Sequence, residues 1–224
     1  MAPTQQSTVI DGIAEVTSVA ELRALLGEPG HRTRTKERPR LHEVDRAFLA
    51  ASPFCMIGTA DPEGNCDVSP KGDPAGFTLV LDDATIAIPE RSGNRRADGF
   101  HNILSNPHVG LNYLVPGRGD TLRINGRARL VKDAPFFDDM VVKGHHPQFA
   151  IIVDIDTIFY HCAKAFMRSR LWDPETWRPK DVPTTAELVK AVQPDTEETL
   201  EDLNRHYEWS NYSKGLYGTR YPGQ

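Results

Sequence analysis

Three arginines and a glycine fall within eight residues, Pro89-Glu90-Arg91-Ser92-Gly93-Asn94-Arg95-Arg96, between a predicted strand and a predicted helix. Guanidinium forks match phosphate oxygens bidentately, Gly93 allows close backbone approach, and a helix start offers free amide donors, so the stretch can receive a phosphate group. A solvated basic turn accounts for the same residues as well when the motif is taken alone. The run CDVSPKG at 66–72 tips the balance. It sets Lys71 just beyond a strand end, where a cation can face an electron-rich ring while the strand backbone supports the ring's polar edge.

A second donor-rich stretch, HCAKAFMRSRLW at 161–172, ends in an aromatic residue. Packed as a helix by Phe166 and Trp172, it would leave Lys164 and Arg170 exposed. His145-His146-Pro147 has adjacent side chains that point apart and no carboxylate or cysteine at ligand spacing, so it reads as a polar loop and no metal is expected. Cys55, Cys66 and Cys162 form no CxxC pair and accompany no base motif. Cys55, in an apolar strand, is expected in the core, and Asn102 on a helix surface.

The elements that must position these residues follow from the hydrophobic period. Residues 1–17 are polar and read as loose, and Ser18 with Glu21 forms a capping box ahead of Leu22, Leu25 and Leu26, stopped by Gly27 and Gly30. Arg32, Arg34, Lys36, Arg38 and Arg40 occupy every second position, so an extended chain would show all five on one side. The stretch reads as a solvated connector or an arm pairing with acidic surface in preference to a nucleic-acid arm, because no aromatic residue interrupts it. A helix over 42–51 should turn Val44, Phe48 and Leu49 inward. Strands are predicted at 54–60 and 66–70 around a DPEGN turn, at 77–81 and 85–88 around Asp82-Asp83, then at 109–115, along 122–130 and at 149–160. Helices are predicted at 96–105 and from Asp133 to about position 143, and two more after Thr184.

The totals narrow the class. A chain of 224 residues can bury one substantial core, and 39% hydrophobic with 25% charged residues is ordinary for a globular protein. Five cations less Glu37 leave the 31–40 run at +4, so the remainder carries −9 of the total −5 and any anion site must be local. No nucleic-acid partner is expected. Unpaired cysteines, no membrane-spanning run and no signal-like start point to a cytoplasmic protein without a membrane partner.

Taken in order, hairpin, VSPKG, hairpin, IPERSGNRR, NILSNPHVGLNYLVPG and TLRINGRARL resemble the FMN-binding split barrel of the pyridoxamine 5′-phosphate oxidase superfamily, from about His42 to Trp172. The resemblance is strongest to the bacterial FMN-dependent subgroup of unassigned substrate, in which an HCAKAFMRSRLW-like segment also occurs. It implies a mainly β, α+β fold: a split β-barrel with flanking helices at 42–172, preceded by a helix and basic connector at 1–41 and followed by a helical extension at 173–224. By position, Arg95 and Arg96 match the pair that holds the flavin phosphate, with Arg91 and Asn94 beside them. Pro89 and Glu90 match the backbone along the ribityl chain, and Val68, Ser69, Pro70 and Lys71 the strand along the ring. Thr121 stands where the vitamin B6 oxidases have glutamine, and Cys66 where they have arginine, so part of their phosphate clamp is absent or supplied by Arg91. Arg168 and Ser169 are expected to reach the flavin or the substrate pocket.

The resemblance further implies a homodimer with FMN at the subunit interface and residues from both chains. It suggests an oxidoreductase that passes a hydride between a small organic substrate and FMN, with Lys71 stabilising charge on the reduced ring. A genuine pyridoxamine 5′-phosphate oxidase is less favoured, because no equivalent of its C-terminal substrate signature is seen and 195–202 is acidic. A non-catalytic flavin-, deazaflavin- or haem-binding protein on the same barrel stands as the alternative, with His145, His146 or His161 as iron ligand in the haem case.

Overall fold

The computed structural model describes residues 12–217. The chain divides between Lys36 and Glu37 into two compact units. The first holds helix α1 (Val19–Leu26) and the single turn α2 (His31–Arg34). Ser18 Oγ accepts the Glu21 N–H at 3.2 Å, and the Glu21 carboxylate returns to the Thr17 N–H, one residue earlier than a capping box requires. Gly27, at φ 74°, ends the helix by giving its N–H to Arg23 O. Of the expected loose N-terminal segment, residues 1–11 lie outside the described residues.

The basic run is not extended over its first four residues. Gly30 starts α2, and the N–H groups of Arg34 and Thr35 reach the carbonyls of Gly30 and His31. One helical turn therefore takes Arg32 and Arg34 out of the every-second-residue register expected of a strand.

The second unit is built on one antiparallel seven-stranded sheet in the order β2-β1-β5-β6-β7-β4-β3. Its strands are β1 (Phe54–Ala60), β2 (Cys66–Gly72), β3 (Leu79–Val80), β4 (Thr85–Glu90), β5 (His108–Leu114), β6 (Thr121–Val131) and β7 (Phe149–His161). β1 and β2 pair from Phe54↔Gly72 to Ala60↔Cys66 around the predicted Asp61–Asn65 turn. β7 is long enough to pair β6 along its length and β4 at its start. A bulge at Asn125/Gly126 bends β6, where a Cβ on Gly126 would lie 2.1 Å from the Asp154 carbonyl oxygen, so only glycine fits.

Alternation along the strands sends Cys55, Ile57, Leu111, Tyr113, Leu122, Ile124, Ile151 and Val153 into one buried core. Tyr113 is fully buried and its hydroxyl accepts from Thr78 at 3.0 Å. Helix α3 (Glu43–Ala51) lays Phe48 and Leu49 on this core. Val44, expected inward, is 64% exposed; the buried carboxylate of Asp45 takes the neighbouring position instead. Arg38 grips Asp45 at 2.6 and 3.0 Å while its backbone bridges to Ile158, which is where the basic arm meets an acidic partner.

Helix α4 (Asp98–Ser105) begins two residues later than predicted and packs on β1, β2 and β6. The expected helix at 133–143 is a 3₁₀ turn, Pro135–Met140, with Ala134 in place of Asp133 at its start. Pro135 sets the first turn and Val141 is extended, so the turn does not propagate. Beyond the barrel come α5 (Lys164–Ser169), α6 (Thr185–Val192), α7 (Leu200–Tyr207) and the short α8 (Trp209–Tyr212). Thr184 with Glu187, and Thr199 with Asp202, form reciprocal capping boxes that start α6 and α7. No helix among the described residues is long and apolar enough to cross a membrane.

Candidate functional site

A cavity of about 550 Å³ opens between the outer end of β2, the end of β4, the 91–97 loop and α4. Because β2 alternates, Asp67, Ser69 and Lys71 turn toward this side while Val68 and Pro70 turn away, although Pro70 backbone still borders the space. The cavity brings together Ser69, Pro70, Lys71, Pro89, Glu90, Arg91, Asn94 and Arg95, eight of the residues expected at a flavin site. Val68, Arg96, Thr121, Arg168 and Ser169 do not border it in the single chain.

The cavity has a cationic end and an apolar floor. At the floor, Phe100 and Phe149 meet edge to face with centroids 4.8 Å apart, beside Ile57, Ile103 and Ile151. Neither aromatic residue was singled out from the sequence, because a strand-start Phe and a helix Phe look like ordinary core residues. Lys71 Nζ lies 2.6 Å from Glu90 Oε2 and 4.6 Å from the Phe100 ring centroid. Both charged side chains are mostly buried, so the pair presents a fixed dipole to the cavity with no net charge.

The arginines play three different parts. All three guanidinium nitrogens of Arg91 are committed: Nε to Asp73 Oδ2 at 2.6 Å, Nη2 to Met140 O at 2.6 Å and Nη1 to His145 O at 3.3 Å. Arg96 pairs with Asp98 at the surface, and its N–H reaches Asn94 Oδ1 at 3.0 Å. Arg95 borders the cavity with no acidic partner among the described residues. It stands at φ 61° and Ala97 at φ 63°, left-handed backbone that turns the loop sharply into α4.

Around the other end, Ser69 Oγ donates to Asp67 Oδ2 at 2.7 Å and Asn102 Nδ2 to Thr59 Oγ1 at 3.1 Å. A Cβ on Gly99 would come within 3.0 Å of Asp67 Oδ2, so α4 approaches β2 closely at that glycine. Asn102 therefore faces the sheet and not solvent.

Thr121 is buried at the start of β6, paired with His161 at the end of β7. Arg168 and Ser169 follow on α5, where Phe166 stacks on Trp172 at 5.9 Å. Phe149, which borders the cavity, begins β7; twelve residues at about 3.3 Å each place Thr121 roughly 40 Å of strand away. His145 stacks on Tyr217 and His146 lies 3.8 Å from Asp138.

Comparison with known proteins bears on this arrangement. A family model described as pyridoxamine 5′-phosphate oxidase matches residues 41–162, more than half of the 224. The chain belongs to the pyridoxamine 5′-phosphate oxidase family. The match spans the split barrel from the start of α3 to the end of β7 and contains the whole cavity lining. Among solved structures, HupZ of Group A Streptococcus is similar at 17% identity and a TM-score of 0.44, covering 54% of this chain and 93% of that one. An FMN-binding protein of Syntrophomonas wolfei is similar at 12% identity and 0.40, covering 54% and 90%. A Clostridium acetobutylicum protein related to general stress protein 26, of the pyridoxinephosphate oxidase family, is similar at 13% identity and 0.41, covering 53% and 86%. No curated protein matches the chain.

Proposed function

We propose that the cavity holds FMN and that the protein is an oxidoreductase acting on a small organic substrate. The observation that carries this reading is Arg95: a guanidinium with no acidic partner among the described residues, at the cationic end of a cavity of about 550 Å³ in a member of the pyridoxamine 5′-phosphate oxidase family. That volume lies within the range of small-ligand sites, and its floor offers aromatic and aliphatic surface to a flat ring. When bound, FMN supplies a hydride acceptor and donor.

The chain's own residues divide the work. Arg95 and Arg96, with the amides at the start of α4 and Asn94, hold the phosphate; Arg96 needs only to leave an exposed partner, Asp98. Pro89 and Glu90 follow the ribityl chain, and Val68, Ser69, Pro70 and Lys71 the ring. The ammonium of Lys71, its charge balanced by Glu90, offers its remaining N–H donors to negative charge at the ring edge. Arg91 contributes wall more than charge, since Asp73 already neutralises it.

Thr121, Arg168 and Ser169 reach a flavin only from the partner subunit, because they stand at the far end of β7 from their own cavity. This supports a homodimer with two equivalent sites at the interface. A cytoplasmic location goes with the reading, since the thiols are unpaired.

The visible spectrum of the purified protein, with mass identification of any released cofactor, tests the proposal. A two-band yellow spectrum and released FMN are expected. Replacing Arg95 and Arg96 together with alanine should abolish flavin retention while the melting temperature and circular dichroism stay as in the parent. A colourless protein that takes up no added FMN overturns the cofactor reading, and full retention by the double variant overturns the phosphate assignment.

A further inference from the structure

The C-terminal extension returns to the cavity wall at Tyr217. Asp73, just past β2, has its carboxylate almost wholly buried. One oxygen takes Arg91 Nε at 2.6 Å and the other takes the hydroxyl of Tyr217, also at 2.6 Å. The Tyr217 ring is flanked by cations, with Arg91 Cζ 5.7 Å and Lys143 Nζ 5.3 Å from its centroid, and lies nearly parallel to the His145 ring at 6.1 Å.

Lys143 and His145 belong to a tight turn, Val142 to His145, closed by backbone hydrogen bonds of 3.2 and 2.9 Å, with Lys143 at φ 51° and Gly144 at φ 80°. Arg91 pins that turn by donating to His145 O. Four separate pieces of chain thus meet on one carboxylate and one phenol: the end of β2, the end of β4, the 142–145 turn and the C-terminal extension at Tyr217. Of these residues Tyr217 alone lies beyond the stretch that matches the family.

The chemistry of the cluster is unequal. Removing the phenol leaves one Asp73 oxygen buried without a donor and takes the aromatic face from two cations. Arg91 then keeps its bond to a carboxylate that is no longer fixed from its other side. We propose that Tyr217 is a positioning residue: by fixing Asp73 on Arg91 it keeps Arg91 as cavity wall and lets the C-terminal extension set how tightly the cavity closes on its ligand. The ligand side of this proposal rests on the FMN reading; the latch itself does not. Burial, reinforced by Asp73, pushes the Tyr217 hydroxyl up to about 12, so it remains a proton donor throughout the working range.

The test uses the full chain as Tyr217→Phe, which keeps the ring and removes the hydroxyl, and Tyr217→Ala, which removes both. In ligand-free protein, backbone hydrogen exchange over 140–146 should speed up in Tyr217→Ala and by a smaller factor in Tyr217→Phe, with the melting temperature of Tyr217→Phe close to that of the parent. Titration with FMN and with riboflavin, read by flavin fluorescence, should show both ligands weakened by the same factor, about fivefold in Tyr217→Phe. The ratio of the two affinities, which measures the phosphate contribution, should collapse only in the Arg95 and Arg96 variant.

Unchanged exchange in both variants overturns the latch, whatever the ligand. Changed exchange with unchanged flavin affinity overturns the positioning role, as does a loss confined to FMN. If the parent binds neither flavin while exchange responds as expected, the FMN reading fails and the latch stands.

Discussion

Single side chains in this protein are tuned by what surrounds them more than by their type. Asp45 is fully buried, and burial alone would raise its carboxyl; the hydrogen bonds from Arg38, the His42 N–H and Tyr160 outweigh it and hold the group below the ordinary carboxylate range. Such a depressed group contributes stability that is present above the unfolded value and lost as pH falls through the folded one. Asp45→Asn is therefore expected to lower stability by about 1–3 kcal/mol at neutral pH and to flatten the acid limb of a urea-unfolding series. The thiols behave in opposite ways. Burial pushes Cys55 up to about 12, whereas Cys66 and Cys162 are exposed. A thiol reagent at pH 8 should label two cysteines in the native protein and the third only on denaturation, because the thiolate is the reactive form.

At the scale of elements, the decisive contacts are places where backbone leaves no room. Gly126 lets β6 bulge against β7, and Gly126→Ala would drive a Cβ into the Asp154 carbonyl. A loss of about 3 kcal/mol is expected, seen as a lower thermal midpoint, because neither strand can retreat without breaking the longest ladder in the sheet. The loop into α4 works the other way. Ala97 occupies a left-handed conformation that costs an L-residue about 1–2 kcal/mol, partly offset by the entropy of a glycine there. Ala97→Gly should leave stability unchanged or raise it by up to about 1 kcal/mol in the same melting experiment.

For the whole molecule the length of β7 matters most. It carries the cavity floor at one end and the run into α5 at the other, so on the proposed reading the α5 residues at a flavin come from the partner subunit. Light scattering should give the mass of a dimer. Chains carrying Arg95→Ala with Arg96→Ala, and chains carrying Arg168→Ala with Ser169→Ala, should each fail to retain flavin. Mixed by unfolding and refolding in equal amounts, they should recover about a quarter of the parental sites, since half the dimers are mixed and each holds one intact site. No recovery on mixing places both sets of residues in the same subunit's site or removes α5 from it.

How much was legible in advance follows from the range of the forces involved. The strands and the DPEGN hairpin were readable because alternation and turn chemistry are local, and the two helices after Thr184 were readable from apolar spacing in the same way. The VSPKG and PERSGNRR stretches could be set on adjoining strand ends by order and resemblance alone, and the fold and family follow from them. Local pattern failed where neighbours distant in sequence decide. The alternating arginines would share one side of an extended chain, yet a glycine start and backbone hydrogen bonding wound 31–34 into a turn, and Val44 yielded the inner face to a carboxylate that Arg38 and the His42 N–H make tolerable. The division of labour among Arg91, Arg95 and Arg96 was likewise invisible, because it depends on Asp73, Met140, His145 and Tyr217, brought together across as many as 144 residues. Sequence alone determined the run of strands and which arginines are candidates for an anion; tertiary structure decided which of those cations lack an acidic partner among the described residues, because charge neutralisation is a matter of distance in space.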